Sequence, residues 1–270
     1  VKEDRIMVAF VAEFSRGKSE LINALFFSGY GDSVLPSSAG RTTMCPTELQ
    51  WAPSMPEEIR LLPIRTRESR ASLAELKQRR ELWTAEILDN RSVEQLQSAL
   101  ARVGETERVS VEESRKLGFA VDPTGQNGLK PGADGMVEIP RWRHALINFK
   151  HPLLEQGLVI LDTPGLNAIG AEPELTFSLL PNADAVLFIL AADTGVTQSD
   201  LAVWRNYVQA GRKSQSGRLV VLNKIDGLWD GLRDDASIEA ELGKQVREVA
   251  QMLEVPESNV FPLSAQKGLV

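Results

Sequence analysis

Cysteine and histidine are almost missing from this chain. Cys45 is the only cysteine among 270 residues, so no disulfide can close within it, which suits a reducing cytoplasm. Cys45 reads as a small packed residue with no redox role. His144 and His151 are too few and too isolated to build a metal centre. No apolar run approaches the ~18–20 residues that span a bilayer, and no signal-peptide pattern opens the chain. Internal repeats and low-complexity tracts are absent as well. Basic residues trail acidic ones, 30 against 37, giving a net charge of -7 and a pI near 5.1. That balance argues against a nucleic-acid partner. What is present is ordinary for a globular protein, 43% hydrophobic and 25% charged, with length enough for one core carrying an inserted subdomain. The chain begins at Val1 and stops just after the last motif described below, so it reads as a fragment of a longer protein.

The most informative stretch runs from Ile6 to Leu25. An apolar, β-rich segment, Ile6 to Val11, ends in the loop Ala12-Glu13-Phe14-Ser15-Arg16-Gly17-Lys18-Ser19, and helix-like sequence follows from Glu20. Strand, loop and helix in that order are the context a phosphate-binding P-loop needs. Successive backbone N–H groups from Ala12 to Glu20 point at phosphates, assisted by the helix N-terminus. Lys18 is expected to neutralise β/γ-phosphate charge and the Ser19 hydroxyl to ligate Mg²⁺. Ala12 replaces the first glycine of the usual pattern, which is tolerable only where φ is negative.

Three further motifs follow apolar strands. Leu158 to Leu161 leads into Asp162-Thr163-Pro164-Gly165, where Asp162 is placed to reach Mg²⁺ through water and the Gly165 N–H to meet the γ-phosphate. Leu219 to Leu222 leads into Asn223-Lys224-Ile225-Asp226. A carboxylate at Asp226 accepts from guanine N1–H and the 2-amino group, a donor pair that adenine lacks, so this motif selects GTP over ATP. Asn223 is expected to brace the loop and the Lys224 stem to cover the base. Val260 to Leu263 leads into Ser264-Ala265-Gln266-Lys267, where a backbone N–H meets guanine O6. Ligands in open α/β sheets sit at such carboxyl ends of strands.

Alternating strand and helix signals predict an α/β fold, a mainly parallel sheet flanked by helices. Strands are expected at 5–11, 47–51, 59–64, 137–149, 157–162, 185–190, 218–223 and 259–263. Helices are expected from Lys18, near Leu175, from Asp200 and near Asp235. In the last, Ile238, Leu242, Val246, Val249 and Leu253 form a core-facing stripe. The pattern changes over 66–136, which reads as a helical insertion. Leu73, Leu76, Trp83 and Ile87 suggest one amphipathic helix. Ser92 with Gln95 suggests a capping box before a second stripe of Val93, Leu96, Leu100 and Val103. A turn-rich segment from Asp122 to Gly135 reads as a long mobile loop. This insertion is either decoration on the sheet edge or a partner surface.

The stretch Leu35-Pro36-Ser37-Ser38-Ala39-Gly40-Arg41-Thr42-Thr43-Met44-Cys45 lies where a GTPase keeps switch I, and either Thr42 or Thr43 is placed to ligate Mg²⁺. Together with Glu13-Phe14-Ser15 and Asp162-Thr163-Pro164-Gly165-Leu166-Asn167, it resembles the dynamin superfamily, above all its bacterial dynamin-like and mitofusin-type members. The resemblance covers nearly the whole chain as one GTPase domain, 1–270, apart from the divergent insertion. It implies that Thr43 is the switch threonine. It also implies that Ser15 helps to hold a monovalent cation such as K⁺, and that hydrolysis is promoted when two GTPase domains meet across the nucleotide face. A helical stalk outside this chain would then tubulate, tether or fuse membranes, placing the full-length protein in the cytoplasm and peripherally on membrane lipid. The same resemblance puts a dimer-contacting loop at Asp193 to Asp200, which as sequence alone is a strand-to-helix loop with Ser199 or Asp200 as N-cap.

Three departures bear on mechanism. Leu166 stands where Ras-type enzymes carry a water-orienting Gln, and Phe14 stands where eukaryotic dynamins carry a P-loop Gln. Neither side chain can orient water, so the water-positioning group is unassigned. Arg16 occupies a position that is usually small. It either supplies cis positive charge to the transition state, as an arginine finger does, or is a solvent-exposed residue at the loop shoulder. Two other readings differ in class. One is a monomeric regulatory or ribosome-assembly-type GTPase switch with a protein or RNA partner. The other is a binding-only pseudoenzyme, raised by Ala12 and Phe14.

Overall fold

The computed structural model describes residues 5–13, 15–30, 34–35, 45–69, 71–89, 92–124, 128–164, 179–209, 217–229 and 234–269. Eleven strands are described: β1 (Ile6–Ala12), β2 (Thr47–Gln50), β3 (Glu58–Pro63), β4 (Thr84–Ile87), β5 (Thr106–Ser110), β6 (Met136–Pro140), β7 (Trp142–Asn148), β8 (Leu158–Asp162), β9 (Ala185–Ala191), β10 (Arg218–Asn223) and β11 (Val260–Pro262). Nine form one sheet in the order β11-β10-β9-β1-β8-β2-β7-β3-β4, and β5 with β6 makes a separate ribbon. From β11 to β8 every pairing is parallel; β2 runs antiparallel to β8, and β3 antiparallel to both β7 and β4.

The side-chain alternation of the strands divides the core in two. In β1, Ala9 and Val11 face one apolar cluster while Phe10 and Ala12 face the other; in β10, Val220 and Leu222 oppose Val221 in the same way. Because both faces are covered, the central strands read as continuous apolar runs. The first face is covered by α6 (Gln198–Val203) and α7 (Asp235–Leu253), the second by α1 (Lys18–Ile22), α3 (Val93–Ala101) and α5 (Pro152–Glu155). The expected stripe of α7 holds: Ile238, Val249 and Leu253 are buried, and Leu242 and Val246 pack against the first cluster.

The segment between β3 and β7 differs from the expected helical insertion. Helices α2 (Leu73–Gln78), α3 and α4 (Val111–Lys116) do lie there, but strands come with them. The helix expected from Leu73 to Ile87 ends at Gln78, and Trp83 turns back to donate its Nε1–H to the Leu76 carbonyl at 2.9 Å. The chain then runs out as β4, extending the main sheet and leaving Ile87 66% exposed. The single strand expected at 137–149 breaks at Arg141. Its first half pairs with β5 and its second joins the main sheet, while the Arg141 N–H donates to Glu105 O. The loop expected from Asp122 to Gly135 is hydrogen-bonded where it is described. Leu129 N–H donates to Ala120 O at 2.8 Å and Gly132 N–H to Met136 O at 2.7 Å. A small third core of Ile64, Val109, Leu117, Phe119 and Ile139 holds the ribbon to α4. The helix expected near Leu175 and the switch I stretch 36–44 lie outside the described residues.

Candidate functional site

At the carboxyl ends of β1, β8, β9, β10 and β11 the sequence motifs converge. Ala12 is the last residue of β1, fully buried and absent from the positive-φ residues, so the condition that its substitution for glycine requires is met. Beyond it the loop enters the left-handed region at Ser15 (φ 65°) and again at Gly17 (φ 84°), and α1 begins at Lys18. Such conformations store strain that neighbouring structure must hold. Asn223 does so. Its Nδ2 donates to the Arg16 carbonyl at 3.1 Å, and its Oδ1 accepts from Ala265 N–H at 2.9 Å. One side chain, 2% exposed, thus ties the loop after β1 to the turns after β10 and β11. The fit is close enough that a Cβ on Gly17 would stand 2.2 Å from Asn223 Nδ2.

Lys18 and Asp162 are both buried and form an ion pair. Thr163, beside Asp162, is fully buried and donates its hydroxyl to the Phe10 carbonyl at 2.7 Å, locking the end of β8 to β1. Ser19 and Glu20 are half-buried in the first turn of α1, where the carboxylate of Glu20 favours the positive end of the helix. In the turn after β10, Lys224 takes a left-handed φ of 62° and its Nζ lies 3.6 Å from Asp193 Oδ2. Asp226 Oδ1 is buried without a hydrogen-bond partner. Ser264 Oγ accepts from Lys267 N–H at 3.2 Å, and Gln266 is exposed. Phe14, Thr43, Gly165 and Leu166 lie outside the described residues.

Arg16 corrects one of the two expectations for it. It is not solvent-exposed: only 5% of its surface is accessible, and Nη2 donates to Glu13 Oε2 at 2.8 Å and Asp200 Oδ2 at 2.9 Å. Asp200 is also not the N-cap of α6. Thr197 is, accepting from Asp200 N–H, while the Asp200 carboxylate accepts from Thr197 N–H at 2.9 Å in a reciprocal capping box. No local signal in the sequence could have paired Arg16 with a residue 184 positions away. Buried Glu48 on β2 likewise accepts from His144 Nε2 (3.1 Å) and Lys77 Nζ (2.6 Å), a grouping invisible until the sheet order is known.

The chemistry of this end of the sheet is that of a triphosphate site: a lysine at a helix N-terminus beside a carboxylate and a hydroxyl, braced against a turn that presents a buried, unpartnered carboxylate oxygen. Fold and site together define a P-loop GTPase domain. The chain belongs to the dynamin family, whose family model matches residues 8–225. Relatives include a bacterial dynamin-like protein of Nostoc punctiforme, 23% identical over 83% of this chain and 25% of that protein. A probable transmembrane GTPase, FZO-like and chloroplastic, of Arabidopsis thaliana is 31% identical over 44% of this chain and 12% of that protein. Among solved structures, one of an oligomerised bacterial dynamin pair described as sensing and tethering membranes superposes with a TM-score of 0.56. Its identity is 17%, and it covers 99% of this chain and 34% of that one. The chain therefore spans about a quarter to a third of the length of the first of these relatives and of this structure.

Proposed function

We propose that this is the GTP-binding and hydrolysing domain of a dynamin-like mechanochemical protein. Two such domains pair across the nucleotide face to promote hydrolysis, and the full-length protein uses the cycle to remodel or tether membranes. The observation that carries the nucleotide assignment is the junction at Asn223 together with Asp226. The phosphate loop and both base-reading turns are one hydrogen-bonded unit, and the buried Asp226 Oδ1 lacks the donors that guanine N1–H and its 2-amino group supply. Leaving such an acceptor unpaired costs about 1–3 kcal/mol, so a base that satisfies it is favoured over adenine.

The residues present fit a divalent cation and a triphosphate. Lys18 and Asp162 already neutralise one another, and in the bound state Lys18 turns to phosphate oxygens while Asp162 and Ser19 serve the metal, with Thr43 assigned to the same ion. A divalent cation held by those residues would supply charge neutralisation to the triphosphate. The left-handed backbone at Ser15 leaves that residue exposed at the loop, where a monovalent cation such as K⁺ would add positive charge. Membrane lipid is engaged by regions outside this chain, and the partner at the nucleotide face is a second copy. Among the described residues no helix is long and apolar enough to cross a membrane.

GTP turnover per molecule, measured in potassium buffer as protein concentration rises, tests this reading. Turnover that climbs with concentration supports paired domains. Flat turnover alongside clear GTP binding contradicts pairing and favours a monomeric switch that awaits an outside activator.

A further inference from the structure

Buried Arg16 and Asp200, with half-buried Glu13 and Thr197, form a side-chain network that the nucleotide assignment does not use. We propose that Arg16 is a positioning residue that clasps Asp200, so that nucleotide bound by the P-loop orders the exposed loop between β9 and α6. The proposal rests on the GTP reading above and adds to it a route by which occupancy is transmitted.

Four observations carry it. The Arg16 guanidinium points away from solvent into Glu13 and Asp200, and Asp200 is fully buried. Asp200 Oδ2 is shared: besides Arg16 it accepts from Thr197 N–H at 2.9 Å and from the Thr197 hydroxyl at 2.8 Å, so the ion pair and the helix cap are one unit. The Thr197 hydroxyl also lies 3.4 Å from Glu13 Oε2, closing the network back onto the phosphate loop. At its other end the β9–α6 loop is tied to the base-reading turn. Ala192 N–H donates to Asn223 O at 2.8 Å, and Asp193 pairs with Lys224 at 3.6 Å. Asp193, which makes that pair, and Thr194 beside it are exposed. A short loop fixed at both ends to the two halves of a nucleotide site has its mobility set by how well those halves are held.

The pair is also incompletely used. Arg16 Nε and Asp200 Oδ1 are buried and unpartnered, although an arginine fork can engage a carboxylate through two parallel bonds. This geometry sets Arg16 against a role as a free arginine finger, because its charge is already committed to two carboxylates.

Amide hydrogen exchange over 191–200 tests the clasp, with GDP as the probe in the whole chain. At GDP about 100 times its Kd, exchange in the loop should slow at least about tenfold in the native protein. Asp200→Asn should bind GDP, by separate titration, yet lose that response. Thr197→Ala removes the capping hydroxyl but leaves the Arg16–Asp200 bond, which shares only the Oδ2 acceptor with the cap; it should lower the melting temperature while keeping the response, whereas a merely structural role would make it lose the response as well. If Asp200→Asn fails to fold, Arg16→Lys retains the charge without the fork and should blunt the response. A native loop that exchanges identically with and without bound GDP overturns the clasp, as does a full response in Asp200→Asn. Absence of GDP binding by the native chain overturns the nucleotide reading itself, and the clasp with it.

Discussion

At Gly17 two constraints fall on one atom: a left-handed φ and a neighbour, Asn223 Nδ2, at 2.2 Å from where a Cβ would be. Gly17→Ala must displace Asn223 or rotate the loop. The backbone alone costs about 1–2 kcal/mol, and the displaced amide loses bonds worth about 1–3 kcal/mol. GTP affinity should fall at least about tenfold, with a melting temperature lower by several degrees; a calorimetric titration and a thermal melt check both. Asp226→Ala should weaken GTP by about 10- to 100-fold, the value of a hydrogen bond to a charged group, and leave ATP affinity unchanged in competition. Lys18→Ala should abolish GTP turnover, since it removes a buried cation, paired with Asp162, from the phosphate loop. The residues of the phosphate loop were legible in the sequence because a strand, a tight turn and a helix start are local events. The Ala12 departure was left open by the sequence, which ends the strand at Val11; the structure decides it by making Ala12 the last residue of β1, without a positive φ. Arg16 was not legible either, because its partner is fixed by tertiary structure alone.

Among the elements, β2 is the one whose stability depends most plainly on pH. Burial raises the Glu48 carboxyl, but the His144 hydrogen bond and the nearby Lys77 ammonium outweigh it, taking the pKa from 4.5 down to about 2. Because the folded value is depressed, Glu48 contributes its full stability above about pH 4.5 and loses it as pH falls towards 2. The contribution is on the order of 3 kcal/mol. Glu48→Gln should lower stability near neutrality and flatten the acid limb of a denaturation midpoint followed from pH 5 to pH 2.5. The same scale shows where sequence reading stopped short. β4 and β5 carry few apolar residues, Thr84-Ala85-Glu86-Ile87 and Thr106-Glu107-Arg108-Val109-Ser110, so no strong alternation marks them. They are strands because a neighbouring edge accepts their backbone groups. The break at Arg141 does have a local signal, Pro140, which lacks a ladder N–H and closes the first strand; the two halves of the apolar run then pair with different strands.

Among the described residues the main sheet has a parallel half that carries the nucleotide motifs and a mixed half to which the divergent segment adds only the edge strand β4. The fold class and the order of the four motifs were readable from the sequence, because buried parallel strands announce themselves as apolar runs and their carboxyl ends as ligand turns. The claim on which everything else depends is that this domain binds and hydrolyses GTP in preference to ATP. Phosphate release measured in parallel with GTP and with ATP, in Mg²⁺ and K⁺, tests it directly. The account predicts release from GTP, little from ATP, and loss of both in Lys18→Ala. Equal turnover of the two nucleotides would contradict the reading of Asp226, and GTP turnover that survives Lys18→Ala would contradict the P-loop assignment.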